Sequence, residues 1–339
     1  MRICVTGGTG FIGSWFVRRL AAQGHAVVAL DLVEPEGDLP LEAFHRGDVR
    51  DVDALVRAFE GCDAVLALAA AHHDFGIDHE TYFGVNEGGS EATCEALDRC
   101  GIRRVCWFSS CAVYGACPEP REESATPQPE HDYGASKLAG EAVFRRWADR
   151  GDGRSCLVIR PTICFGPGNY ANMYSLIRQV QRRRFVVAGE GRNVKSLAYV
   201  ENLVDATMHL WERHGEGIDT FNFVEKPDLR SSAIAQAVAD ALGRSRPGVR
   251  LPMGLVLLGA KPFDAVIALT GWNLPISSMR VRKLFELETK FEASKLRDAG
   301  FVSEVSIPEG IARMTRWYLE TGRHRKPIWR IPPRDIQRY

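Results

Sequence analysis

The sequence predicts an α/β fold: a doubly wound parallel sheet followed by a smaller, mostly helical C-terminal part. Three observations carry this. The chain opens with a short apolar run, Ile3, Cys4 and Val5, that leads into glycines spaced GxxGxxG at Gly7, Gly10 and Gly13. The pattern then turns helical, with Phe11, Ile12, Trp15, Phe16 and Leu20 on one face. Strand-like runs keep alternating with helical stretches through the first half, which argues for parallel strands joined by crossover helices.

Strand, glycine turn and helix together read as the phosphate cradle of a Rossmann-like βαβ unit. Gly7 permits a tight turn, Gly10 lets backbone approach a pyrophosphate, and Gly13 lets helix pack on strand. The N–H groups at the helix start, around Phe11 and Ile12, then face the anion with the positive end of the helix dipole. A second strand over residues 26–30 ends at Asp31, at the distance expected of an acid that accepts from the adenosine ribose 2′-hydroxyl. A 2′-phosphate would be repelled there and Leu32 offers no cation, so NAD is expected over NADP.

Residues 44–51, with Gly47, Asp48 and Val49, read as a third strand and turn, and residues 53–59 as a helix. A fourth strand, residues 64–68, runs through Leu68 into Ala69 and Ala70, small residues where backbone can lie against a cofactor. His72, His73 and Asp74 follow. Adjacent histidines point apart and no third ligand stands at helical spacing, so a metal is not expected; a polar lip of the cleft and an ordinary loop both remain open. Residues 91–100 form a helix, residues 105–108 a fifth strand, residues 133–149 a long helix, and residues 157–160 a sixth strand leading into Pro161. Beyond this point the pattern is less regular. Helices are expected over 173–182, 200–213, 231–242 (capped by Ser231 or Ser232) and 309–321, with strands over 185–187 and 221–224. This places a dinucleotide-binding domain at 1–165, joined again by 200–224, and a substrate-binding domain at 166–199 and 225–339.

Composition removes other classes. Basic and acidic residues balance at 43 each, so no global field attracts nucleic acid or an anionic membrane. The 9 cysteines show no CxxC pair, which fits reduced thiols in a cytoplasmic protein. The first residues already read as a core strand, so no signal peptide is expected. The most apolar run, residues 251–269, is interrupted by Lys261, Pro262 and Asp264. It reads as two short packed helices and not a membrane span, with a peripheral membrane contact as the alternative.

The chemistry lies in Ser110, Tyr133 and Lys137. Tyr133 and Lys137 stand at i and i+4 on one helix face. A phenol titrates near ~10 and is a poor base at neutral pH, and a neighbouring ammonium lowers that value. The same lysine can hold the nicotinamide ribose. Ser110 follows the fifth strand, where a parallel sheet places its ligand crevice.

With these residues in hand, the chain resembles the extended short-chain dehydrogenase/reductases, the NAD-dependent epimerase/dehydratase family. The matching stretches are TGGTGFIG from Thr6, Asp31, Gly47 and Asp48, Leu68 to Ala70, Asn86, and SSCAVYG from Ser109. YGASK from Tyr133, FGPG from Phe165, YVENLVDA from Tyr199 and FEASK from Phe291 complete the set. The resemblance implies a Ser/Tyr/Lys triad at Ser110, Tyr133 and Lys137. It implies an NAD site built from the glycine turn, Asp31, Asp48, Val49, Leu68, Ala69, Ala70, Pro161 and the last two triad members. It also implies a homodimer through helices 91–100 and 133–149.

Departures from the family pattern narrow the reaction. Dehydratases carry an Asp-Glu pair directly after the triad Ser/Thr, where this chain has Cys111 and Ala112. The cysteine of 3,5-epimerases would stand at Ala112. Hydride transfer at one alcohol or ketone carbon remains, as in a 4-epimerase, ketoreductase or dehydrogenase. By family position Asn172, Lys195 and Arg282 would hold a nucleotide-activated sugar, with His73 at the cleft lip. Ile163 replaces an asparagine common in 4-epimerases, which leaves a hydroxysteroid-dehydrogenase-like enzyme as the alternative and a non-catalytic dinucleotide sensor as the third class.

Overall fold

The computed structural model describes residues 1–72, 77–116, 119–270 and 277–325. The first half runs β1 (Arg2–Thr6), α1 (Phe11–Ala22), β2 (Ala26–Asp31), β3 (Ala43–Arg46), α2 (Val52–Phe59), β4 (Ala64–Ala67) and α3 (His79–Phe83). A π-helical turn, Gly84–Gly88, leads into α4 (Gly89–Arg99), then β5 (Arg104–Phe108), a 3₁₀ turn (Cys111–Tyr114), α5 (Asp132–Ala148) and β6 (Ser155–Pro161). The second half runs β7 (Ile163–Phe165), α6 (Asn172–Gln181), β8 (Val186–Ala188), β9 (Val194–Lys195), β10 (Leu197–Tyr199), α7 (Val200–Arg213) and β11 (Gly217–Phe223). It ends with β12 (Leu229–Arg230), α8 (Ser231–Ala241), β13 (Val249–Leu251), α9 (Met253–Thr270), α10 (Ser278–Phe285), α11 (Ser294–Asp298) and α12 (Ile307–Glu320).

Seven strands form one sheet in the order β11-β6-β5-β4-β1-β2-β3, with every neighbouring pair parallel. Parallel strands are covered on both faces, so their side chains are apolar in both directions. Ile3, Val5, Leu66, Phe108 and Ile159 enter the core on the side of α1 and α7. Their neighbours Cys4, Val65, Trp107 and Val158 enter the core on the side of α2, α4 and α5. Consecutive strand order reverses between β1 and β4, which opens a crevice at their carboxyl ends.

Residues 200–223 return to this sheet: β11 pairs with β6 at its edge, and Arg19 of α1 forms an ion pair with Asp205 of α7. A separate core gathers α6, α8 and α12 around Ile177, Val238, Ile311 and Met314. Two of the family-like stretches serve this assembly. Asn202 donates to Glu225 (2.8 Å) and to the Val305 carbonyl (2.7 Å). Lys295 donates to Asp219 (2.9 Å) and to the Thr220 carbonyl (3.0 Å), tying residues 291–295 to β11.

Two local expectations need correction. Helix α8 is capped at Arg230 without a side-chain bond, because Ser231 already lies inside the first turn and is buried. Residues 251–269 do not form two packed helices. They form one 18-residue helix, α9, that continues through Pro262. Ala260 is its buried residue, and Leu255, Leu258 and Leu269 are 57%, 61% and 86% exposed. Among the described residues it is the helix long and apolar enough to cross a bilayer by length and composition.

Candidate functional site

The glycine turn packs against the end of β4 with no room for side chains. A Cβ on Gly7, whose φ is +71°, would lie 2.8 Å from the Ala69 nitrogen, and one on Gly13 would lie 2.1 Å from the Gly7 carbonyl oxygen. Gly10 is the N-cap of α1 and brings no side chain to it, so the first-turn N–H groups of Phe11 and Ile12 have no side-chain cap. The backbone of Leu68 and Ala69 lies directly against Gly7, and the Leu68 N–H is fixed on the Thr6 carbonyl at 3.1 Å, with Ala70 next in the chain.

Asp31 ends β2 beside this turn. Its carboxylate accepts from the Thr9 N–H (3.1 Å) and the Leu32 N–H (2.8 Å). Burial raises its pKa, and the bonds from Thr9, Leu32 and Val33 pull it back down. A carboxylate has further lone pairs for a ribose hydroxyl. Asp31→Ala is expected to weaken NAD by about ten- to a hundredfold, the worth of a charge-assisted bond, and to narrow the gap to NADP. Fluorescence titration of both cofactors checks this; an unchanged NAD/NADP ratio would contradict it. Asp48 sits after β3, where Arg50 grips its carboxylate at 2.7 Å, and Val49 packs in the core below.

Helix α5 carries Tyr133 and Lys137 one turn apart. Gly134 sets its approach: a Cβ there would lie 2.4 Å from the Ala112 carbonyl oxygen, so the first turn rests on the 3₁₀ turn after β5. Gly140 does the same further along, against the Asn86 carbonyl oxygen and the Trp107 ring, both at 2.7 Å. Asn86 stands in the π-helical turn, a distortion that frequently marks functional sites. Its amide bonds both the Ala71 backbone and Ser136, which lies between Tyr133 and Lys137. One buried asparagine thus ties the wall after β4 to the first turn of α5.

The adjacent serines separate in the structure. Ser109 is buried and donates to Glu141 at 2.5 Å. Ser110 is half-buried, and its oxygen accepts from the Ala112 N–H at 3.1 Å, which leaves its proton available to an oxygen in the crevice. Tyr133 is also half-buried, with the ring of Tyr82 at 6.3 Å. Lys137 is 2% exposed, and its ammonium lies over the Trp107 ring at 4.3 Å. Burial pulls its pKa down to about 7, and the Glu141 carboxylate acts in the opposite direction. No hydrogen bond from this ammonium to a described residue is present. A buried cation so placed fits a ligand that brings its own acceptors, such as ribose hydroxyls.

Beneath the site lies a polar network that the sequence pattern does not announce. Arg160 clamps Glu141 through two bonds (2.8 and 2.5 Å) and donates to the Tyr114 hydroxyl (2.6 Å), which in turn donates to Asn222 (2.9 Å). Both charged side chains of the clamp are 6% exposed. Glu141→Ala is expected to cost about 3–5 kcal/mol, because it leaves a buried guanidinium without its counter-charge. Urea denaturation reads this directly, and a loss under about 1 kcal/mol would contradict it. The available signal was Glu141 itself, one turn beyond Lys137 on an otherwise buried face.

The expected substrate residues lie on three different elements. Asn172 is exposed at the start of α6. Lys195, on β9, is buried and donates to the Leu287 carbonyl at 2.6 Å. Arg282, on α10, is exposed and pairs with Glu286 at 2.8 Å. Pro161 closes β6 opposite Phe223. His73 lies outside the described residues. No cluster of three or more metal-ligating side chains occurs among the described residues.

Comparison with known proteins accords with this geometry. The model of the NAD-dependent epimerase/dehydratase family matches residues 3–223. An N-acetyl-alpha-D-glucosaminyl-diphospho-ditrans,octacis-undecaprenol 4-epimerase of Escherichia coli O157:H7 is 33% identical over 93% of this chain and 94% of its own length. In fold, the chain is similar to the UDP-glucose 4-epimerase of Thermotoga maritima, solved with UDP-glucose (TM-score 0.76, 21% identity, 95% of this chain and 99% of that one). It is likewise similar to the UDP-glucose 4-epimerase of Thermus thermophilus, solved with NAD (TM-score 0.72, 23% identity, 95% and 100%). The chain belongs to the NAD-dependent epimerase/dehydratase family, and NAD is its cofactor.

Proposed function

We propose that the protein is a 4-epimerase of a diphosphate-linked sugar. The observation that carries this reading is the pairing of Ser110, Tyr133 and Lys137 with a turn that holds no acid. Cys111 is buried, and its thiol donates to the Arg160 carbonyl at 3.1 Å, facing away from the crevice. Ala112 beside it has nothing to ionise. The proton inventory for eliminating water is therefore missing, and one proton site, Tyr133, suffices for epimerisation. Bound NAD supplies reversible hydride transfer. Tyr133 takes the proton from the sugar hydroxyl and returns it, Ser110 donates to the reacting oxygen, and Lys137 favours the phenolate and holds ribose. Lys195 and Arg282 are the proposed diphosphate ligands, which would exchange the Leu287 carbonyl and the Glu286 carboxylate for phosphate oxygens, and Asn172 belongs to the segment proposed to cover the substrate.

The E. coli relative, matched over nearly the whole chain, supports the choice of 4-epimerase over ketoreductase. Incubation with catalytic NAD and sugar diphosphates, followed by chromatography of the released sugars, tests it. The expected product is the C4 epimer at equilibrium without net NADH. Stoichiometric NADH, or a deoxy-keto product, would sink the reading. Ile163, 39% exposed on β7, favours the second reading, a dehydrogenase of a cyclic alcohol, for which stoichiometric NADH with a sterol is the signature. Family resemblance further supports a homodimer through α4 and α5, whose shared groove is lined by Glu91, Glu95, Arg99, Arg146 and Arg150. The described cysteines are free thiols, in keeping with a cytoplasmic protein.

A further inference from the structure

Helix α9 is apolar on two faces, and its own protein covers only one. Inward, Ala260 is buried, Met253 and Val256 pack on the core of α6, α8 and α12, and Asp264 accepts from the Ser278 N–H at 2.9 Å. Outward stand Leu255, Leu258, Pro262, Val266 and Leu269, whose steps keep them on one side of a helix. Val266 is 38% exposed; Phe263 of the same helix (37%) and Met279 of α10 (76%) are further exposed apolar side chains. Exposed leucines scattered singly need no explanation, but a continuous stripe marks an interaction surface. Proline and two glycines in this helix would weaken it in water, so the stripe is not there to stabilise an isolated helix.

The chemistry of the occupant follows from charge and from the substrate reading. Arg250 and Lys261 are exposed on this segment, whereas the acid of the helix, Asp264, is turned inward. An apolar stripe flanked by cations suits the interface of an anionic bilayer. The inward face is bonded to the protein's own domain, which fits a helix lying in the interface and not one surrounded by lipid. The E. coli relative acts on a sugar diphosphate carried by undecaprenol, a molecule whose tail belongs in a membrane. Helix α10, which follows and packs beside α9, carries Arg282, a proposed phosphate ligand.

We propose that the outward face of α9 docks the protein on a bilayer surface, where it receives its sugar diphosphate from a membrane-embedded polyprenol carrier. The carrier rests on the sugar-diphosphate reading above; the docking does not.

The test uses the full chain with NAD and vesicles of phosphatidylcholine and phosphatidylglycerol. The wild type is expected to float with the vesicles. The triple variant Leu255→Gln, Leu258→Gln, Leu269→Gln is expected to lose about tenfold or more of that binding while keeping NAD affinity. Leu269→Gln alone, at a side chain nearly free of contacts, provides a milder variant whose fold is secure and is expected to float less than wild type. Epimerisation of a polyprenyl-diphosphate sugar in the vesicles should fall in the triple variant. Epimerisation of the same sugar diphosphate on a water-soluble carrier should not. Failure of the wild type to float, equal flotation of all three proteins, or a dimer that dissociates in the triple variant would overturn the docking. Equal loss on both carriers would overturn the polyprenol. Flotation with no epimerisation of either substrate would support the docking and sink the functional reading.

Discussion

Tyr133→Phe is expected to lose turnover by on the order of a hundred- to ten-thousand-fold, while the fold and NAD affinity survive. The substitution removes one oxygen and no packing, since the ring remains against Tyr82 at 6.3 Å. The loss follows from geometry. Gly134 lets α5 rest on the Ala112 carbonyl, so Tyr133 stands beside the segment that carries Ser110, and Lys137 lies one turn further on the same face. Of Ser110 and Tyr133, the phenol is the stronger acid, and a neighbouring ammonium brings its pKa toward neutrality. Ser110→Ala is expected to be milder, because a hydrogen bond to the reacting oxygen is lost and the proton path is kept. Single-turnover kinetics with the true substrate, alongside cofactor titration, separates the two. Retention of most of the activity by Tyr133→Phe would mean that the chain does not use tyrosine acid-base chemistry.

The parts of this arrangement legible in the sequence are those enforced locally. The glycine spacing needs only that backbone pass where a Cβ cannot, and the contacts of Gly7 and Gly13 show why no other residue fits. Asp31 ends a strand whose length sets its distance from the turn. Tyr133 and Lys137 share a face because a helix has a fixed period. What the sequence conceals is set by partners far along the chain. Glu141 and Arg160 look like a surface acid and a strand-end base until β6 is laid beside β5 and the pair is enclosed. Asn86 stands out in the sequence only as a match to the family pattern, and its partner does not: the fold alone brings Ser136 within 2.9 Å of it. For α9 the reason is different. Hydropathy counts apolar residues without saying which face is covered, so a run of leucines reads as core. Here half of that run, including Leu255, Leu258 and Leu269, faces outward. The cap of α8 shows the same limit on a small scale: serines at a helix start do not say which of them has already entered the first turn.

Lys137→Met is expected to abolish turnover and at the same time stabilise the cofactor-free protein. The ammonium of Lys137 is buried against Trp107 with no hydrogen bond to a described residue, and burial brings its pKa down to about 7. In the unfolded chain a lysine titrates near ~10.4. Between these two values the unfolded state binds more protons than the folded one, so this group makes stability rise with pH across that window. Below the folded value the full cost of holding a buried charge is paid. Methionine has a similar volume and no charge, so the variant is spared the cost of burying an ammonium without a hydrogen-bonding partner. The gain should therefore be largest near about pH 6 and shrink toward about pH 9, where the wild-type lysine is already largely neutral in the folded protein. Glu141 remains neutralised in the variant by its clamp with Arg160, so no new unpaired charge offsets the gain. NAD should reverse the order of stabilities, because the wild type gains ribose hydrogen bonds that methionine cannot make. Thermal unfolding of both proteins at the two pH values, with and without NAD, reads all of this together. A cofactor-free variant less stable than wild type at the lower pH, or a pH dependence of stability unchanged by the substitution, would show that Lys137 is not a strained charge held in wait for the cofactor.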